Sequence, residues 1–164
     1  MPRREPEIER CHTDREHTTR DADRSDHGSV VRLFPYGGNV IKSNKEIVLE
    51  VLRRSFVERD PTVVEQYFGA NYTQHNPVIA DGPSAIARMI PTLTGLTYEP
   101  GMAAADGDLV MVHGRYTGWG PKPMVAVDIF RVEDGKVVEH WDVLQEEVPA
   151  ASTASGNAMF TIRE

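Results

Sequence analysis

Three residues in the last third of the chain, Asp128, His140 and Asp142, have the types that move protons. Two carboxylates and an imidazole on an otherwise apolar surface must pair with one another or face a cavity, because burial penalises their charged forms. Groups held that way acquire shifted acidities, which suit general acid–base work. Such a trio could take a proton from a carbon next to a carbonyl, with a pocket donor stabilising the developing enolate. Aldol cyclisation, isomerisation and dehydration all fit that scheme. The plain alternative is a structural ion pair, Asp128 with His140, that only fixes the hairpin.

Other polar residues are candidates for the pocket mouth. Pro77 disfavours helix at Asn76 and predicts an extended turn there, from which His75 and Asn76 could aim inward. An Asx-type turn holding the loop is the competing role for Asn76. Tyr72 and Gln74 are packing or hydrogen-bonding neighbours. His113 shares its side of a strand with Met111 and Arg115, which suits a solvated face or a pocket wall. Trp119, between Gly118 and Gly120, is a lid candidate on a loop, with packing the simpler role. Met159 and Phe160 either dock the C-terminal segment or close an apolar wall. A metal enzyme using His75, His113, His140 and Asp142 is a weaker reading. Cys11, His12 and His17 lack a second Cys or His pair at zinc-ligand spacing, so no metal site is expected there.

The elements that must position these residues follow from periodicity. Ser43 with Glu46 has the spacing of a capping box and predicts a first helix. Ile47, Val48, Val51, Leu52, Ser55 and Phe56 form its buried face. Asp60-Pro61 closes that helix and opens a second, which buries Val63, Val64, Tyr67 and Phe68. A third begins near Pro83, buries Ile86, Met89 and Ile90, and stops at Pro91. Four strands are then predicted, Thr97 to Ala105, Asp108 to Thr117, Met124 to Val132 and Val137 to Gln145. Helices followed by hairpins indicate an α+β domain with helices on one face of an antiparallel sheet.

The last turn decides which side chains share a face, since a slip of one residue flips a strand. A two-residue Asp134-Gly135 turn pairs Val132 with Val137 and sets Asp128 opposite Trp141. A three-residue turn with Gly135 in a G1 bulge pairs Val132 with Lys136 and Asp128 with His140. The second is preferred, because it gathers Met124, Ala126, Phe130, Val132, Val138 and Leu144 around Asp128, His140 and Asp142. Asp142 then lies diagonal to Asp128 at about 7–8 Å. The opposite face, with Val125, Val127, Ile129, Val137, Trp141 and Val143, is also apolar. Its cover is expected to be the same face of a second subunit, making a homodimer.

The chain has 164 residues, 40% of them hydrophobic, which is enough for one core. Its net charge of -7 argues against general affinity for nucleic acid, which needs clustered Lys and Arg. The longest apolar stretches fall short of the roughly 18 residues that a membrane span requires. With one cysteine and a charged first segment, a cytoplasmic address is expected. Residues 1–38 have the composition of a disordered tail, and 39–164 that of the folded domain.

Several segments, in order, carry a resemblance. Y-T-Q-H-N-P from Tyr72 to Pro77, Asp81-Gly82, G-D-L-V-M-V-H from Gly107 to His113, V-D-I-F-R-V-E-D-G-K-V-V-E-H-W-D-V-L-Q from Val127 to Gln145, and S-G-N-A-M-F near the C-terminus resemble SnoaL-like proteins. The resemblance covers about Asn44 to Phe160 and implies a cone-shaped α+β barrel of the nuclear transport factor two-like superfamily. That fold has a curved antiparallel sheet with N-terminal helices on its concave face, and it is usually dimeric. In SnoaL-like polyketide cyclases an aspartate on the last hairpin strand catalyses an intramolecular aldol closure without metal or cofactor, and by motif that position is Asp142. The second polar pocket residue, histidine in those cyclases, falls at Asp128. The resemblance is closest to a widespread subgroup described as aldol-condensation enzymes, and implies a small carbonyl or polyketide-like substrate. A non-catalytic module binding a small molecule in the same fold is the alternative, since fold alone does not give chemistry.

Overall fold

The computed structural model describes residues 42–162, and the expectations for residues 1–38, including the Cys11, His12 and His17 group, lie outside them. The first helix, α1 (Asn44–Leu52), starts at the expected capping box: Ser43 caps it, and the Glu46 side chain returns to the Ser43 backbone. Its buried face is Ile47, Val48, Val51 and Leu52. It continues as a π-helical segment, Arg53–Glu58, which ends at Arg59 in the left-handed region. Ser55 and Phe56, both in this segment, line the cavity between helices and sheet.

The break before α2 (Thr62–Tyr67) is held by Asp60. Its carboxylate accepts from the Thr62 hydroxyl, from the Thr62 backbone N–H and from the Arg54 guanidinium. The third helix, α3 (Pro83–Met89), has Pro83 in its first turn and runs into a 3₁₀ turn over Ile90–Thr92.

Five strands form one sheet: β1 (Phe68–Gln74), β2 (Thr97–Asp106), β3 (Leu109–Thr117), β4 (Met124–Glu133) and β5 (Lys136–Glu146). Their spatial order is β1-β5-β4-β3-β2, so the curved sheet is open and does not close into a barrel. The sheet is also not wholly antiparallel. β1, unrecognised in the sequence, runs parallel to β5. Its residues FGANYTQ contain Gly and Asn, which are depleted in strands, and Phe68 reads equally as the last buried residue of the preceding helix, so no strand signal rises above that helix. His75 and Asn76 therefore follow a strand and not a helix.

The β4–β5 register has the turn of the two-residue alternative, with Val132 opposite Val137, and corrects the partner that each alternative gave Asp128. Asp134 (φ 48°) and Gly135 (φ 75°) are both left-handed, which makes a two-residue turn pairing Glu133 with Lys136 and Val132 with Val137. Val138 is then an extra residue, and Arg131 pairs with Glu139. Beyond the bulge Phe130 faces His140, and Asp128 faces Asp142 and not His140. The phase expected for Asp128, His140 and Asp142 is nevertheless met. Val137 and Val138 exchange roles: Val137 is fully buried in the core and Val138 is only partly buried.

One core lies between helices and sheet. It joins Val48, Leu52, Val63 and Ile90 to Val110, Val112, Tyr116, Phe130 and Val132. Among the described residues no helix is long and apolar enough to cross a membrane.

The Asp60 clamp predicts a pH effect. The Thr62 hydroxyl, then the Arg54 guanidinium, hold the carboxyl down to about 2 in the folded chain. A depressed carboxyl contributes stability that is complete above its unfolded value of about 4 and lost as pH falls through its folded one. Melting temperature should therefore fall more steeply for wild type than for Asp60→Asn as pH is lowered from about 4 to about 2. Parallel slopes would contradict the clamp.

Candidate active site

The sheet's inner face carries the polar cluster because β4 and β5 alternate about the bulge. Asp128 is 3% exposed and His140 6%, whereas Asp142 is half-buried at the cavity wall. Both Asp128 oxygens have partners: Tyr116 donates its hydroxyl to Oδ2 at 3.0 Å, and His140 Nε2 lies 3.3 Å from Oδ1. Asp142 is less committed. Asn76 Nδ2 donates to Asp142 Oδ2 at 2.6 Å, and among the described residues no donor meets Oδ1.

β1 orients the cluster from the other side. Its parallel pairing sets Gln74 beside His140, and the His75 N–H donates to the His140 carbonyl at 3.0 Å. The Asn76 backbone N–H donates to Gln74 Oε1 at 2.9 Å, which identifies the oxygen end of that amide. His140 Nδ1 meets the same oxygen at 2.9 Å, so Nδ1 carries a proton. Nε2 is then the nitrogen free to exchange a proton with Asp128 Oδ1. The amide nitrogen of Gln74 donates to the Tyr72 hydroxyl at 2.9 Å. Asn76 Oδ1 accepts from the Val78 N–H, so the expected Asx turn and the pocket role coexist in one side chain.

The cavity is lined by Phe56, Met89, Trp119, Phe130 and Leu144 around Tyr72, Gln74, Tyr116, Asp128, His140 and Asp142. Lys and Arg are missing from its wall, among the described residues. Burial, then the Asp128 charge, pushes the Tyr116 hydroxyl well above its usual range, so it stays a donor. Asp128, His140 and Asp142 offer ligand atoms within 4.8 Å of one another, a spacing that could hold a cation. Such an ion would take the place of the proton between His140 Nε2 and Asp128 Oδ1.

The structure separates the remaining expected site residues. Tyr72, Gln74 and Trp119 line the cavity, and Asn76 backs Asp142. His75 faces the other side of the sheet, stacked on Trp141 with ring centres 4.9 Å apart and paired with Glu139 at 2.9 Å. His113 and Met159 line an apolar groove on that side, and Phe160 packs against His113 and the bare Gly101. Alternation along β3 explains the placement: Val110, Val112, Gly114 and Tyr116 are buried inward, which turns His113 outward. His75 and His113 are thus corrected as metal partners of His140 and Asp142, being on the opposite face. Tyr116 is the functional residue overlooked in the sequence, although the phase of Val110 and Val112 along the predicted strand was enough to mark it.

Comparison with known proteins agrees with this architecture. Residues 48–140 match the SnoaL-like domain, and the chain belongs to that family. An NTF2-like protein of unknown function from Cytophaga hutchinsonii is similar in structure, with TM-score 0.57 at 15% identity over 66% of this chain and 95% of that one. A candidate polyketide cyclase from Acidithiobacillus ferrooxidans gives TM-score 0.53 at 15% identity, covering 66% and 92%. An LEH-like epoxide hydrolase from M. tuberculosis gives 0.51 at 20% identity, covering 62% and 82%. At these identities the likeness concerns the fold. A comparison with curated proteins gives no match.

Tyr116→Phe removes a donor from a buried carboxylate while keeping the ring. Unfolding in urea should show a loss of about 1–3 kcal/mol, whereas the same change in an Asp128→Asn background should be less damaging. Equal losses in both backgrounds would mean that the hydrogen bond contributes nothing.

Proposed function

We propose that the chain is a cofactor-free acid–base enzyme acting on a small uncharged carbonyl compound, with Asp142 as the base that removes a proton from the carbon next to the carbonyl. The observation that carries this reading is the asymmetry between the two aspartates. Asp128 has both oxygens engaged, while Asp142 is anchored through Oδ2 by Asn76 and keeps Oδ1 for a substrate. A carboxylate so held offers a base in a fixed position without losing its reactive lone pair. Asp128 tunes the field at Asp142 from the facing strand, and His140 does so from two residues away on the same strand. An aromatic wall and the lack of cationic lining favour a neutral, polyketide-like ligand over an anion. Aldol closure, isomerisation and dehydration share this first step.

Asp142→Asn preserves shape and the contact to Asn76 with the base removed. Exchange of solvent deuterium into small ketones should fall on the order of 10²–10⁴-fold, with melting nearly unchanged. Exchange at the wild-type rate would eliminate Asp142 as the base. A non-catalytic binding module would show ligand binding with no exchange in either protein.

A second reading is hydrolytic opening of an epoxide, favoured by two carboxylates facing each other across β4 and β5. The Asn76–Asp142 pair would then hold and deprotonate a water. Epoxide turnover with incorporation of labelled water, and no ketone exchange, would select it.

The outer face supports a homodimer as part of the same reading. Val143 is 70% exposed and Val127 39%, beside the groove of Val125, His113 and Met159. A second copy of this face would bury them. Sedimentation should give a dimer at micromolar concentration, and Val143→Lys should shift it to monomer. A wild-type monomer would contradict the dimer alone.

A further inference from the structure

We infer that the Tyr72 hydroxyl is the hydrogen-bond donor that stabilises the oxyanion formed when Asp142 deprotonates the substrate. This rests on the acid–base reading above and supplies the partner that reading requires, since an enolate forms readily only where a preorganised donor meets the oxygen.

The inference follows from hydrogen-bond direction. The Asn76 backbone N–H and His140 Nδ1 both converge on Gln74 Oε1, at 2.9 Å each. A backbone N–H can only donate, so this end of the Gln74 amide is its oxygen. The nitrogen end therefore faces the Tyr72 oxygen, 2.9 Å away, and donates to it. Tyr72 accepts that bond, and its own proton points elsewhere. Among the described residues no acceptor receives it, although Tyr72 is only 4% exposed and lines the cavity together with Asp142. A buried hydroxyl held as an acceptor, with its proton unspent, is a donor waiting for a ligand.

The other tyrosines near the site differ. Tyr116 gives its proton to Asp128. Tyr98 has a buried hydroxyl without a partner, but its ring lies over Gly114 and is no part of the cavity wall. Burial, then the Asp142 charge, raises the Tyr72 pKa well above the usual phenol range. Tyr72 thus stays protonated across the neutral range and serves as donor, never as a competing base.

The step balances within the site. The C–H electron pair becomes the enolate C=C bond as the proton passes to Asp142, and the carbonyl π pair moves to oxygen, which accepts from Tyr72. Return of the proton restores every group.

The test uses Asp142→Asn, in which a neutral amide replaces the base so that a bound phenolate plays the enolate. The probe is 4-nitrophenol, whose ionised form is read by absorbance. Adding Tyr72→Phe should weaken phenolate binding on the order of 10–10²-fold, while Tyr98→Phe in the same background should leave it unchanged. Replacing Tyr72 by 3-fluorotyrosine, a stronger donor of nearly the same shape, should tighten it and guards against a Phe variant that fails to fold. Phenolate binding that is absent, or indifferent to the Tyr72 hydroxyl, overturns the inference. Tyr72-dependent binding together with no deuterium exchange by wild type upholds the donor and instead removes the base assigned to Asp142. With an exchanging ketone, Tyr72→Phe should lower kcat far more than it raises KM.

Discussion

The site depends on the phase of β5. A two-residue turn at Asp134 and Gly135 suits the twist of the hairpin, but continued without interruption it would place His140 and Asp142 on the face opposite Asp128. The unpaired Val138 restores the phase and bends the strand. The places of His140 and Asp142 in the cavity follow from that insertion: Asp142 comes level with Asp128, and His140 comes level with Phe130, 4.5 Å between ring centres. Val137, ahead of the bulge, stays in the core.

Once two carboxylates are placed face to face in an apolar cavity, like-charge repulsion and desolvation must be offset by donors. The chain supplies them from three elements. Tyr116 on β3 and His140 on β5 meet Asp128, and Asn76, just after β1, meets Asp142. The backbone of Asn76 also sets the direction of the Gln74 amide, and through it the protonation of His140 and the orientation of Tyr72. A short parallel strand at the sheet edge thereby orders a network that reaches the middle of the sheet. Hydrogen bonds of fixed direction in a water-poor site hold geometry better than flexible charged side chains do.

Much of this was legible in the residues. The capping box at Ser43 and Glu46, the strands from β2 to β5 and the shared face of Asp128, His140 and Asp142 were all readable from spacing. The register was not, because a bulge at a valine leaves no Gly or Pro to mark it. β1 was hidden for another reason: Phe68 reads equally as the end of the helix before it, and the pairing with β5 runs through the backbone of Gln74 and His75. That gap left His75 in the pocket and gave Gln74 only a general role. Contacts between residues far apart in sequence, such as Asn76 with Asp142, depend on the parallel pairing and could not precede it.

The central claim is that β1 and the bulged β5 hold the His140 ring between Gln74 and Asp128 with a proton on Nδ1. Nitrogen-15 NMR of the His140 ring addresses it directly. The account predicts a persistent proton on Nδ1, protected from exchange and lost as a distinct signal when Gln74 is replaced by leucine. A ring that carries its proton on Nε2 alone, or that exchanges freely between tautomers in the native chain, would contradict it.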